Sequence, residues 1–309
     1  MSHIVRQVLA LPLLALGVVL LSYALMNFLP GDPARIVAGV GASSETIESV
    51  REQLGLDAPL LNRLGDYVLG VLQGDLGTSF QTRQPVAEEL LAVFPKTIQL
   101  AIVAELVAVI VGFSVGALSA LRSRKGGGTL LMVASAAALS LPLFALALIL
   151  QLVFSVWLRW LPPSGDGGLL SLQIILPALT CAIPSAGFVT RFTRTTVLAR
   201  MQEEYVQTAV AKGLSRGLIT RRHILRPSVG TLISVVAADF SRLLGGVAMV
   251  EIIFGWPGVG KYAFDALVHR DLPALQGAIL VITLAVLVAN QLAEIAYRIA
   301  DPRIGAHDK

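Results

Sequence analysis

The apolar stretch 128–158, within the longest uncharged run, constrains this chain more than any other feature. Thirty-one consecutive residues without Asp, Glu, Lys or Arg do not suit the surface of a soluble domain. As one helix they would measure ~46 Å at ~1.5 Å per residue, against ~30 Å for a bilayer's hydrocarbon core. The run must therefore tilt or bend, and Pro142 marks the expected kink. Five further apolar runs approach span length: 8–29, 97–121, 171–190, 229–253 and 274–298. Pro177 and Pro184 make the run over 171–190 a poor straight helix. With 55% hydrophobic and 14% charged residues in 309, the composition agrees with these runs. The reading is an all-α polytopic membrane protein with six transmembrane helices and both termini on one side.

The first run follows Arg6 and is long for the apolar core of a signal peptide. No A-x-A site comes after it, so it reads as an uncleaved first span. Residues 30–95 are a different material, polar and turn-rich, with nine acids and four Lys or Arg. Ser44 to Leu54 reads as a short amphipathic helix with Ile47, Val50 and Leu54 on one face and Gly55 at its end. Pro85 to Pro95 reads as a second short amphipathic piece. The net charge is only +4, yet its distribution is lopsided. With the N-terminus inside, fifteen Lys and Arg fall on inner segments and eight on the much longer outer ones. The positive-inside rule thus puts both termini in the cytoplasm and residues 30–95 outside. Nothing in the sequence suggests nucleic-acid binding.

Eight of those inner cations lie between Arg191 and Arg226. At the heart of that segment Glu203 to Pro227 is polar, basic and helical in composition, with Gly213 placed to divide it into two short pieces. Composition alone also allows a solvated loop touching anionic headgroups. The residues say more. Glu204-Tyr205, Thr208-Ala209-Val210-Ala211-Lys212-Gly213-Leu214-Ser215 and Arg222-His223 resemble the EAA loop of bacterial ABC importer permeases. The likeness is strongest to the dipeptide/oligopeptide and nickel branch, in its first (B-type) permease subunit. The general loop ends near Ile-x-Leu-Pro. Here His223-Ile224-Leu225-Arg226-Pro227 stands in its place, with Thr231 where the branch often has proline. Pro30-Gly31-Asp32-Pro33, Leu54-Gly55-Leu56-Asp57 and Gly74-Asp75-Leu76-Gly77-Thr78-Ser79 resemble the outer domain of the same branch, and Val250-Glu251 through Trp256-Pro257-Gly258 to Arg270-Asp271 resembles its outer loop. The likeness runs on to Asp301-Pro302-Arg303.

That resemblance implies a type I ABC importer permease fold with an extracytoplasmic domain between the first two spans. It divides the chain into 1–29 (N-terminus and first helix), 30–95 (outer domain) and 96–309 (five-helix core), with the coupling loop at 203–227. It implies a bacterial plasma-membrane protein beside a second homologous permease in a heterodimer. Two cytoplasmic ATPase subunits and an extracytoplasmic solute-binding protein complete the assembly. No cofactor is expected on this chain, and ATP and magnesium belong to the ATPases. The implied ATPase contacts are Glu204, Tyr205, Thr208, Ala209, Ala211, Lys212, Gly213, Leu214, Ser215, Arg222 and His223. Ala209, Ala211 and Gly213 are the small residues that would let a groove approach closely, and Glu204, Lys212 and Arg222 would set register. Trp256, Pro257, Gly258, Asp265 and Asp271 would face the binding protein. Substrates of the branch are dipeptides or oligopeptides, alternatively nickel, glutathione or haem.

Ionisable residues inside a membrane suggest function, since each costs roughly 2.5–3.5 kcal/mol on insertion scales. Asp239 and Arg242 lie three apart on the fifth span and are placed to pair. They are either a neutral pair that orients the helix or part of a substrate path. Glu105 sits near the middle of the second span and Glu251 nearer the outer surface, where a peptide α-amino group would need an acid. Glu294, beside Asn290 and Gln291, reads as interfacial. Gly255 to Lys261 fits G-x-x-x-x-G-K, but Tyr262 replaces the magnesium-binding Ser or Thr. A turn followed by a short outer helix from Lys261 to about His269 is the better reading. Gly112 and Gly116 form a G-x-x-x-G that permits close helix packing. His3, His223, His269 and His307 are too scattered for a metal site, and Cys181, the single cysteine, reads as a buried thiol. No catalytic constellation can be assembled, so the chain reads as a transporter subunit. An ATP-independent channel or secondary transporter is the rival, but it should show internal repeats and midplane relays.

Overall fold

A computed structural model describes residues 13–21, 23–24, 33–38, 41–53, 57–123, 127–166 and 171–300. Among them helices dominate, and the β-structure is a single isolated bridge between Thr78 and Pro85. The chain divides into two compact units, Met1–Thr97 with Pro257–Ala285 and Ile98–Trp256 with Val286–Lys309.

In the first unit the described part of the first apolar run is helical over residues 13–21 (α1), and the rest of 8–29 lies largely outside the described residues. Helices α2 (Pro33–Ala38), α3 (Ser44–Gln53) and α4 (Leu60–Leu72) follow. The expected amphipathic helix at Ser44 is α3, started by Ser43 Oγ, which accepts the Thr46 N–H at 3.2 Å. Leu54 and Gly55 lie outside the described residues. Helix α4 ends in a Schellman turn: Asp75 N–H donates to Gly70 O at 2.8 Å and Gly74 N–H to Val71 O at 3.1 Å, with Gly74 at φ +82°. The next turn, through Gly77 and the bridge, delivers the chain to α5 (Val86–Leu121).

Here one expectation fails. Residues 85–95 are no separate amphipathic piece but the opening of α5, a 36-residue helix that runs through Pro95. The first stretch of this unit therefore ends inside α5, and the unit's core is built from two distant stretches. Val86 and Leu90 pack with Val259 and Ala266 of α12 (Val259–Val268) and with Ala274, Leu275 and Ala278 of α13 (Leu272–Ala300). Helix α12 matches the expected short helix from Lys261 to about His269 in place and length. A boundary drawn at residue 95 from composition missed the return of 257–285, which no local pattern announces.

In the second unit the uncharged run is broken where Pro142 stands. Helix α6 (Gly127–Ser140) and helix α7 (Leu143–Gln151, continued by a π-helical turn Leu152–Trp157) meet at 100°. Pro142, at φ −58° and ψ 134°, caps α7. It lacks an N–H to continue α6 and drives the preceding residue out of the helical region. The excess length is thus absorbed by a sharp bend rather than by tilt. A 3₁₀ turn Leu172–Ile174 leads into α8 (Ile175–Met201). This helix continues without interruption through Pro184, so the expected defect over 171–190 does not break it, and it extends past Arg191 to Met201. Pro177 falls in its first turn, where the missing N–H has no partner to lose. After a short loop region, α11 (Arg226–Phe254) crosses. Four helices among the described residues are long and apolar enough to span a membrane, or five if the bent pair counts as one.

The G-x-x-x-G of α5 does what small residues permit. A Cβ on Gly112 would lie 2.6 Å from Val189 Cβ, and one on Gly116 would lie 2.6 Å from Thr190 O and from Thr193 Cβ. Helices α5 and α8 thus touch backbone to side chain along two turns. Around this contact Leu100, Ala101, Ala104 and Ala108 of α5 pack with Leu176, Ala178, Cys181 and Ala182 of α8 and with Leu243, Leu244 and Val247 of α11. Cys181 is buried, as its apolar run implied.

Candidate functional site

The basic loop folds as two pieces about Gly213. Helix α9 (Glu204–Ala211) ends in a second Schellman turn, with Leu214 N–H donating to Ala209 O at 3.3 Å and Gly213 N–H to Val210 O at 3.0 Å. Gly213 has φ +71°, the left-handed position that a residue with a Cβ adopts at a cost. The chain re-enters helix at α10 (Arg216–Leu218), widens to a π-helical turn Ile219–Leu225 and runs directly into α11. Pro227 sits in the first turn of α11. It cannot donate to the carbonyl four residues back, and a widened turn before it accommodates that loss. The unusual exit His223-Ile224-Leu225-Arg226-Pro227 is therefore continuous helix.

Helix α9 has two faces. Val206 and Ala209 are buried among Ala120 of α5, Val197 of α8 and Ile219 and Ile224 of the π turn. Glu204, Tyr205, Thr208, Val210, Ala211 and Lys212 are exposed, followed by Gly213, Leu214 and Ser215. Arg222 is exposed and His223 half-buried. Of the expected ATPase contacts, Ala209 is thus the exception: it is small because it packs inward, not because a partner's groove must approach it. Val206 escaped notice because one valine in an eight-residue helix carries no periodic signal. Glu204 in the first turn of α9 complements the helix dipole. Arg216, Arg221 and Arg226, with Lys212 and Arg222, give the exposed side its positive field.

A second cluster lies within the spans. Arg242 on α11 donates through Nε (2.9 Å) and Nη2 (2.5 Å) to Asp239 Oδ1, and through Nη2 to Ser185 Oγ of α8 at 3.2 Å. Its guanidinium also stands 5.7 Å from the centre of the Phe188 ring. Asp239 is buried and its Oδ2 has no hydrogen-bond partner among the described residues. Glu105 on α5, near enough to interact electrostatically with both, is buried with neither carboxylate oxygen hydrogen-bonded. Glu251 is fully buried further along α11. The expected pairing of Asp239 with Arg242 is present. Ser185 and Phe188, three apart on α8, were not legible because their partner Arg242 lies far off in sequence, 57 residues from Ser185.

The outer loop departs most from expectation. Trp256, Gly258 and Asp271 are buried, which leaves them no surface to offer a binding protein. Asp271 is a structural hub of the first unit. Its Oδ2 accepts Ser79 Oγ at 2.5 Å and Gln81 N–H at 3.0 Å, and its Oδ1 caps α13 through Ala274 N–H at 3.3 Å. Asp265 is engaged by Lys261 Nζ at 2.5 Å, and Pro257 is half-buried. Tyr262, the residue that spoiled the phosphate-loop pattern, donates to Glu89 Oε2 at 2.7 Å. Burial first, then that bond and the charges of Glu89 and Asp271, push its phenol above the ordinary tyrosine range. Among the described residues no strand precedes Gly255 and no group of His, Cys, Asp and Glu could hold a metal.

A bundle of apolar helices bent at Pro142, with a short helix anchored between the ends of its spans, defines a multi-pass membrane permease of the type I ABC fold. Residues 108–306 match the family model described as binding-protein-dependent transport system inner membrane component, and residues 1–101 match its N-terminal counterpart. The chain belongs to this family of ABC importer permeases, in its peptide/nickel-type branch. It is 36% identical over 304 residues to glutathione transport system permease protein GsiC of Escherichia coli (strain K12), covering 98% of this chain and 99% of that protein. GsiC of Pectobacterium atrosepticum matches at the same identity and coverage. In fold it is similar to the MetNI methionine ABC transporter in an inward-facing form, with TM-score 0.58 at 15% identity over 69% of this chain and 96% of that one. Members of this family work with a second permease, ATPase subunits and a binding protein.

Proposed function

We propose that this chain is the first permease subunit of an importer for dipeptides or oligopeptides, driven by ATP hydrolysed on partner subunits. The carrying observation is the two-faced α9. Its inner face, Val206 and Ala209, is locked to the ends of α5 and α8 and to the π turn that runs into α11, while Tyr205, Thr208, Ala211 and Lys212 are exposed. A force applied to that free face reaches three spanning helices at once. Closure of two cytoplasmic ATPases would then swing the spans, and substrate would pass along the boundary with a second, homologous permease. No cofactor resides on this chain; ATP and magnesium sit on the ATPases. The charge distribution supports both termini in the cytoplasm and residues 30–95 outside, and the family match supports a bacterial plasma-membrane location.

Glutathione, named for the GsiC relatives, is itself a small peptide and is the second reading of substrate. Nickel and haem lack a comparable feature to favour them. Purifying the tagged chain from its native membrane tests the assembly. The expected result is a second six-span permease and Walker-type ATPases, with hydrolysis stimulated by a binding protein carrying peptide. Recovery of this chain alone, transporting without ATP, would overturn the reading.

A further inference from the structure

Arg242 is in an unusual place for a cation. On the 29-residue helix α11 it stands roughly 24 Å from the first residue and roughly 18 Å from the last, at ~1.5 Å per residue. An arginine side chain cannot snorkel to either membrane surface from such a depth. Yet its side chain is 53% exposed, whereas Asp239 beside it is sealed in at 0%. The ion pair is therefore asymmetric. The carboxylate lies on the packed side of the helix and the guanidinium reaches the open side.

Three observations fix what the open side can meet. First, Asp239 and Ser185 occupy Nε and Nη2, while Nη1 makes no hydrogen bond among the described residues, so two N–H donors point away from the anchoring acid. Second, the same face of α11 carries Ala238, Gly245, Gly246 and Met249, all exposed. A Cβ on either glycine would meet nothing within 4 Å. A face turned to lipid gains nothing from paired glycines and loses roughly 2.5–3.5 kcal/mol by exposing a guanidinium. Third, the acids behind the arginine are already buried, Asp239 with one oxygen and Glu105 with two left unpartnered. Asp239 holds the cation, and the oxygens of both acids are closed to anything approaching from the open side.

We propose that the free edge of Arg242, held in place by Asp239, Ser185 and the Phe188 ring, receives the carboxylate of an amino-acid-derived substrate as it passes the middle of the membrane. The Nη1 N–H donors left free on the guanidinium offer a carboxylate a charge-assisted hydrogen bond, and a desolvated path strengthens such a bond. Arg242 is the binding residue here, while Asp239 and Ser185 are positioning residues. The inference rests on the peptide-importer reading and narrows it to substrates with a free carboxylate.

The complete importer in proteoliposomes tests it. Initial import is compared for one peptide with a free C-terminal carboxylate and for its C-terminal amide, each loaded to saturation on the same binding protein and the loading verified by calorimetry. Because every permease variant meets the same loaded carriers, the acid-to-amide ratio cancels the carrier's own preference. Arg242→Gln should lower the wild-type ratio by about ten- to a hundredfold, the range of one hydrogen-bonded charge pair. Arg242→Lys, which keeps the charge but loses the planar group that Asp239 and Ser185 hold in place, should lie between. The double variant Asp239→Asn/Arg242→Gln removes the carboxylate that Arg242→Gln alone would leave without its cation, so it separates loss of recognition from loss of folding, and its ratio should match Arg242→Gln. Import with a wild-type ratio in Arg242→Gln or the double variant would overturn the inference and leave Arg242 as a counter-ion within the assembly, to Asp239 or to an acid on the second permease. Failure of the wild-type complex to import any peptide would sink the peptide reading itself, and the inference with it.

Discussion

Replacing Val206 with alanine should loosen α9 from the helices it packs on without touching any residue of its exposed face. Val206 is 5% exposed, within the cluster of Ala120, Val197, Ala209, Ile219 and Ile224. Two methyl groups at about 0.8 kcal/mol each give about 1.6 kcal/mol of lost transfer free energy. The cavity left between α9 and the π turn raises this to about 2–3 kcal/mol. Since about 1.4 kcal/mol is a factor of ten, the docked population of α9 falls by about thirty- to a hundredfold relative to the undocked one. The assay is ATPase activity of the reconstituted complex with and without loaded binding protein, read beside import. Val206→Ala should keep basal hydrolysis while stimulation and import collapse. Val210→Asp, on the open side at 60% exposure, should leave the isolated subunit as stable as wild type and abolish ATPase copurification. Equal melting temperatures for Val206→Ala and wild type, with stimulation intact, would refute the anchoring argument.

Gly116→Leu should prevent the α5–α8 contact, because even its Cβ would lie 2.6 Å from the Thr190 carbonyl oxygen. A normal yield of folded, detergent-soluble subunit would contradict that. Asp271→Ala removes the acceptor for Ser79, Gln81 and Ala274, a loss of about 3 kcal/mol or more, and limited proteolysis should then cut the 79–83 turn. The Tyr262 phenol, raised above its ordinary value of 10.0, contributes stability that is fully present below that value. The contribution is lost as pH climbs through the higher folded one. Thermal melts of wild type should therefore fall above about pH 10, and those of Tyr262→Phe should lack that step.

Spans, bend and loop were legible because each has a local cause. A membrane demands uninterrupted apolar helix, Pro142 has no N–H to give, and Gly213 alone in its loop tolerates φ +71° without strain. Long-range packing was not legible. Nothing near Ala209 in sequence says that Ile219 and Ile224 fold back over it, so a buried alanine read as a docking one. Trp256 and Asp271 misled for the same reason. A tryptophan and an acid in a polar loop suggest a surface, but Asp271 accepts from the Ser79 hydroxyl and the Gln81 N–H nearly two hundred residues upstream. Arg242 was half legible: spacing of three predicted its bond to Asp239, whereas its free edge needed coordinates.

The central claim is that the open face of α9 meets an ATPase, and site-directed photo-cross-linking in native membranes tests it most directly. A photoreactive amino acid placed in turn at Tyr205, Thr208 and Lys212, all exposed, should each yield an adduct with a nucleotide-binding subunit. The same probe at Phe264 of α12, exposed as well, should yield none with that subunit. Adducts from Phe264 but not from α9, or none from α9 in membranes that import the substrate, would contradict the account.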